Sequence, residues 1–231
     1  MPMLVAARAE LRHMRTHPKP LARPVIALSG WGDMGFLARQ ISMEIRRGTG
    51  DTRVAEASFF LHLTFPACRQ KVVERVEKTW PSADPHETVE VDVVAHSMGG
   101  LIARFAALPE RAPGFGPAHL PLGKRLRIHT LYTVGTPHLG ANQAKLFHMA
   151  DARARDMMPG SVFLEALNAA PLAHAIVPYG IHGDWVVGAA NIAPIGTEAQ
   201  LFERRPLRPS HAGATTDSRI LASILKRLRG E

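Results

Sequence analysis

A serine attacks a carbonyl only if the chain lifts its hydroxyl clear of its own backbone and another group takes the proton. Residues 91–100, Val-Asp-Val-Val-Ala-His-Ser-Met-Gly-Gly, are patterned to do the lifting. A β-branched run leads into Ser97, and two glycines follow it after Met98. Leu101, Ile102, Phe105 and Leu108 then recur at the spacing of one apolar helix face, and Pro109 ends the pattern. A strand and a helix packed closely behind one tight turn need small residues two before and two after the serine. Ala95 and Gly99 stand there. Such a turn holds the hydroxyl above the strand end, beside a helix N-terminus where negative charge is favoured. The chemistry on offer is nucleophilic attack through a covalent intermediate. The plainer role for Ser97 is a helix N-cap ahead of a glycine-rich start.

The elements around this turn alternate. Strands are expected at Val25–Leu28, Val54–Phe60, Ile128–Val134 and Ala175–Tyr179, with the Ser97 strand and helix within 89–108. Helices are expected at Phe36–Arg46 and Arg69–Thr79, through most of 139–174 with a break at Pro159-Gly160, and from Asp217 to the end, where Ile220, Leu221, Ile224, Leu225 and Leu228 form one stripe. Residues 1–23 read as an arginine-rich arm, in part helical, and 189–216 as largely loop. Alternation of this kind predicts a mainly parallel sheet covered on both faces, in one α/β domain spanning 1–231. Active sites in such sheets lie at the carboxyl ends of the strands.

The chain has 231 residues and a formal charge of +8. Its basic residues are spread out and are not interleaved with aromatics, which argues for a solvated surface rather than a nucleic-acid face. Weak contact with an anionic membrane surface is a third reading of the charge. Cys68 is the only cysteine, so no intrachain disulfide forms. No apolar run approaches a membrane span or a signal h-region, and a cytoplasmic location is the expectation unless a leader has been removed.

Taken in order, several segments resemble the lipase-like α/β-hydrolases, especially bacterial triacylglycerol lipases and the serine esterases that deacylate glycolipid anchors. They are Ala-His-Ser-Met-Gly-Gly at 95–100, Val-Gly-Thr-Pro-His-Leu-Gly at 134–140, residues 157–168, Gly-Asp-Trp-Val-Val at 183–187 and Ser-His-Ala-Gly at 210–213. The resemblance covers residues 24–228 and implies a serine carboxylic-ester hydrolase, an esterase or lipase, that needs no cofactor or metal. In that fold the chain order is serine, acid, histidine. Asp184 sits in a glycine-containing loop after the late strand, whereas Asp151, Asp156 and Glu165 lie in helical patterns that read as solvated surface. Of twelve histidines only His211 follows Asp184. The expected triad is therefore Ser97, Asp184 and His211. The backbone N–H groups of Met98 and Trp31 are the expected oxyanion donors. His96 and His138 are expected to be structural. Two departures stand out: Ser29-Gly30 replaces the usual His-Gly, and Gly188 replaces a common proline.

Met34, Met157 and Met158 are candidate substrate contacts, and Met149 and Phe163 could join them in an acyl pocket. Residues 139–174 would form either a lid or ordinary helical cover. The expected partner is an ester or lipid small molecule; a thioesterase or phospholipase would use the same triad, and a catalytically silent binding protein would need none of it. Gly30-Trp31-Gly32-Asp33-Met34-Gly35 is a literal dinucleotide fingerprint after a strand, but bulky Trp31 sits where backbone would have to crowd a pyrophosphate.

Overall fold

The computed structural model describes residues 2–120, 122–147, 149–206 and 208–231. Among these, six parallel strands form one sheet in the order β2-β1-β3-β4-β5-β6. They are β1 (Val25–Leu28), β2 (Val54–Ala57), β3 (Val91–His96), β4 (Ile128–Val134), β5 (Ala175–Ile181) and β6 (Gln200–Phe202). The helices are α1 (Pro2–Thr16), α2 (Phe36–Thr49), α3 (Phe65–Thr79), α4 (Met98–Ala106), α5 (Ala144–Phe147), α6 (Ala152–Asp156), α7 (Val162–Ala169), α8 (Ser210–Gly213) and α9 (Ser218–Leu228).

Alternation along the central strands divides the apolar side chains between two cores. Ile26, Leu28, Val93 and Ala95 face one layer, with Val72 and Val76 of α3, Leu101 and Phe105 of α4, and Leu167 of α7. Val25, Ala27 and Val94 face the other, with Met14 of α1, Ile41 and Ile45 of α2, and Ile224 of α9. Each fully buried aliphatic or aromatic side chain is worth about 1.5–3 kcal/mol, so both faces hold the sheet. The elbow strand β3 is buried along its whole length.

Several boundaries differ from the sequence pattern. The N-terminal arm is helical in part, as expected, and it is also packed: Ala7, Leu11 and Met14 of α1 are buried, and Arg229 donates to the carbonyls of His17 (3.0 Å) and Gly48 (2.6 Å). β2 ends at Ala57, short of Phe60. α3 begins at Phe65, because the Thr64 hydroxyl caps the Ala67 N–H at 3.3 Å and Pro66 fits the first turn. β6 interrupts the expected loop 189–216; three half-buried residues at a sheet edge are too few to show a period. The described residues of 139–174 form three short helices, α5 to α7, and the break expected at Pro159-Gly160 falls between α6 and α7.

Candidate active site

The turn after β3 has the shape its residues imply. Ser97 adopts φ 52° and ψ −127°, a strained conformation for a side chain with a Cβ, and its hydroxyl makes no capping bond to α4. The N-cap role is thus set aside. The Ser97 N–H donates to Val134 O (2.9 Å), and the Thr136 hydroxyl donates to Ser97 O (2.8 Å). The small residues matter because the chain is crowded there: a Cβ on Gly99 would stand 2.5 Å from Ser29 O, and one on Gly30 would stand 2.9 Å from the Ser97 Cβ.

Three loops at the carboxyl ends of the strands bring Ser97, His211 and Asp184 together. His211 Nε2 lies 2.9 Å from Ser97 Oγ, and His211 Nδ1 lies 2.8 Å from Asp184 Oδ2. The other carboxylate oxygen of Asp184 accepts from the N–H groups of Val186 (3.0 Å) and Val187 (3.3 Å). Burial pushes the Asp184 carboxyl up, but the His211 contact and these amides outweigh it, and the group lies below the usual carboxylate range. A charged Asp184 fixes the ring so that Nδ1 carries the proton and Nε2 is free to accept one. The buried Ser210 hydroxyl donates to Gly183 O (3.0 Å), tying the histidine loop to the acid loop. Gly135, at φ 59°, leaves room for both: its Cβ would meet His211 Nδ1 at 3.2 Å and Asp184 Oδ2 at 3.4 Å. Thr136, Gly135 and Ser210 carried no signal of their own beyond lying in the quoted motifs.

His96 sits behind the turn, buried, its ring 4.9 Å from that of His211. Burial, and next the neighbouring His211, push its pKa down to about 3, so it is neutral at ordinary pH. His138 is fully buried and likewise held neutral, bonded to Arg104 (3.1 Å) and Thr133 (3.2 Å). Both are structural, as their sequence positions suggest.

A cavity of about 200 Å³ opens beside Ser97 and His211. Its walls are mostly apolar and include Trp31, Pro137, Ala154, Met157 and Val187. Of the methionines expected at the site, only Met157 lines it. Met34 is exposed and borders a separate groove with Phe60 and Lys71, because the chain turns outward after Trp31. Met158 packs on the α3–α4 core, and Met149 is exposed. Phe163 stacks on Phe65 with ring centroids 4.1 Å apart, within the core. Nor is Asp151 solvated surface. It accepts the Trp31 indole N–H at 2.7 Å and pairs with Arg153 at 2.6 Å. Asp156 is also buried, 2.7 Å from His119 Nε2.

The dinucleotide alternative meets a physical obstacle. The Asp33 carboxylate accepts from the N–H groups of Phe36 (3.0 Å) and Leu37 (3.2 Å), occupying the start of α2 where a phosphate would have to sit. Among the described residues no group of three or more His, Cys, Asp or Glu side chains is placed to hold a metal ion, and no helix is long and apolar enough to cross a membrane.

Comparison with known proteins agrees with this architecture. The family described as "Putative serine esterase (DUF676)" matches residues 66–154, which contain the elbow and the Thr-Pro-His loop. The mature lipase BlEst2 of Bacillus licheniformis superposes with a TM-score of 0.56 at 13% identity, over 92% of this chain and 94% of that one. A metagenomic carboxyl esterase, MGS0156, superposes with a TM-score of 0.50 at 11% identity, over 91% of this chain and 76% of that one. No curated protein matches the sequence significantly. The fold is that of the α/β-hydrolases.

Proposed function

We propose that the protein cleaves carboxylic esters through a Ser97–His211–Asp184 triad and an acyl-enzyme intermediate. The observation that carries this reading is the unbroken relay from Ser97 Oγ to His211 Nε2 (2.9 Å) and from His211 Nδ1 to Asp184 Oδ2 (2.8 Å), at a strained turn beside an apolar cavity. Ser97 attacks the carbonyl carbon as His211 takes its proton. Asp184 holds the ring and stabilises its positive charge. The N–H groups of Met98 and Trp31 receive the oxyanion; support comes from the place of Met98 at the start of α4 and from the close packing of Gly30 on Ser97. His211 then protonates the leaving alcohol. Water, deprotonated by His211, attacks the acyl-enzyme and frees the acid.

The substrate in this reading is a small-molecule ester or lipid, reached without nucleic acid and with at most weak contact between the basic surface and anionic lipid. A cytoplasmic site of action fits the single cysteine, which is buried. The test is hydrolysis of p-nitrophenyl esters together with fluorophosphonate labelling, for the wild type beside Ser97→Ala. Turnover and labelling that both vanish in Ser97→Ala are the expected result. Wild-type protein that neither turns over any ester nor takes the label would sink the proposal and favour a binding role.

A further inference from the structure

The segment expected to be a lid or a cover is pinned to the site by one ion pair between a half-buried aspartate and a buried arginine. Asp151 caps α6, accepting from the Arg153 N–H at 2.8 Å. Its carboxylate also takes the Arg153 guanidinium through Nε (3.0 Å) and Nη2 (2.6 Å), and the Trp31 indole N–H at 2.7 Å. The same guanidinium donates to the carbonyls of Phe59 (3.0 Å) and His62 (2.9 Å), in the loop after β2. The Arg153 side chain is 6% exposed and that of Asp151 15%, so the pair is shielded from the screening that weakens surface ion pairs. Three segments thereby meet at one ion pair: the loop carrying Trp31 on Asp151, the loop after β2 on Arg153, and α6, which holds both. Two of the three also wall the cavity, Trp31 from one side and Ala154 and Met157 from the other.

We propose that this cavity is the acyl pocket, that it takes acyl groups of up to about eight carbons, and that Asp151 and Arg153 are positioning residues that fix its width by tying α6 to Trp31. The inference rests on the serine-hydrolase reading above. A dry apolar cavity of about 150 Å³ holds one benzene ring, so about 200 Å³ beside Ser97 has room for a chain of roughly eight carbons and not for palmitate. The acyl group stays bonded to Ser97 after the alcohol has left, so the walled cavity at the serine suits the part that stays.

The experiment is kcat/KM along p-nitrophenyl esters from acetate to palmitate, with thermal melting of each variant. Wild type should peak between butyrate and octanoate and fall at least about tenfold by laurate. Ala154→Leu should lower the octanoate-to-acetate ratio at least about tenfold, since a methylene in an apolar pocket carries about that discrimination. Met157→Ala should move the optimum the other way, which loss of folding cannot imitate. Asp151→Asn and Trp31→Phe should each flatten the chain-length profile, and the double variant should flatten it no further than either single one. Equal use of palmitate and butyrate by the wild type would overturn the inference, as would Ala154→Leu and Met157→Ala scaling every ester alike. A response of these variants to alcohol length in alkyl acetates, without one to acyl length, would overturn it too. If Ser97 still labels and esters still turn over in those cases, this inference alone falls; if no ester turns over and no label attaches, the hydrolase reading falls with it.

Discussion

Gly99→Ala tests the link between close packing and chemistry. Gly99 opens α4 two residues after Ser97, and its backbone is not in the left-handed region, so an alanine there meets only a steric obstacle. The added Cβ would stand 2.5 Å from Ser29 O and 3.1 Å from the Leu28 Cβ, both on the end of β1. Ordinary contact begins at 3.4 Å, so the start of α4 must part from β1 by about 0.9 Å. Neither backbone can rotate aside as a flexible side chain would. Overpacking of this kind costs about 1–3 kcal/mol, a fall in Tm of roughly 2–12 °C for a chain of this length. The kinetic effect should be larger, because the shift separates Ser97 and Met98 from the Gly30–Trp31 loop, and a misplacement near 1 Å can cost about 10²-fold in rate. The assay is kcat/KM on p-nitrophenyl butyrate beside differential scanning fluorimetry. Gly116→Ala is the control, since a Cβ there meets nothing within 4 Å. Activity of Gly99→Ala within twofold of wild type, at unchanged Tm, would refute the idea that this contact positions the oxyanion loop.

Asp184→Asn should keep the fold yet lower kcat by about 10⁴-fold, because an amide at Oδ2 favours the tautomer with the proton on Nε2, which cannot accept from Ser97; ester kinetics at neutral pH measure it. Asp151 offers a pH test. Burial pushes its carboxyl up, but the Arg153 pair and the Trp31 N–H outweigh it and hold the pKa at about 2. A pKa depressed on folding adds stability above the unfolded value, near 3.9, and that stability is lost as pH falls toward about 2. Asp151→Asn should therefore cost of order 1–2 kcal/mol at pH 7, and denaturant titrations should show the gap to wild type closing below about pH 4; a gap constant down to pH 2 would contradict the pairing. Met14→Ala should cost about 2–5 kcal/mol by urea unfolding, since Met14 of α1 is 1% exposed in the core that α9 shares; a cost below about 0.5 kcal/mol would show that α1 adds nothing to that core.

Much of the site was written along the chain. The Ser97 turn is legible because strand, turn and helix are local, and each imposes its own residue types: β-branched before, small at Ala95 and Gly99, periodic apolar after. Asp184 and His211 could be chosen only through chain order, which is a rule of the fold rather than of the residues themselves. Their distances from Ser97 and from each other belong to the structure, since three loops far apart in sequence meet only once the parallel sheet has stacked its strand ends side by side. The misreadings share one cause. Asp151, Met34, Met158 and residues 1–16 were judged by local pattern, yet what each touches is set by elements distant in sequence. A helical stretch rich in arginine and alanine looks solvated until its aspartate finds Trp31, 120 residues away. Sequence alone determined the Ser97 turn and the layered α/β plan, because both follow from short-range sterics and hydrophobic period. Only the tertiary structure decided which methionine lines the cavity, how wide the cavity is, and that the Asp151 carboxylate meets Trp31 beside it, because these depend on which surfaces the folded chain presses together.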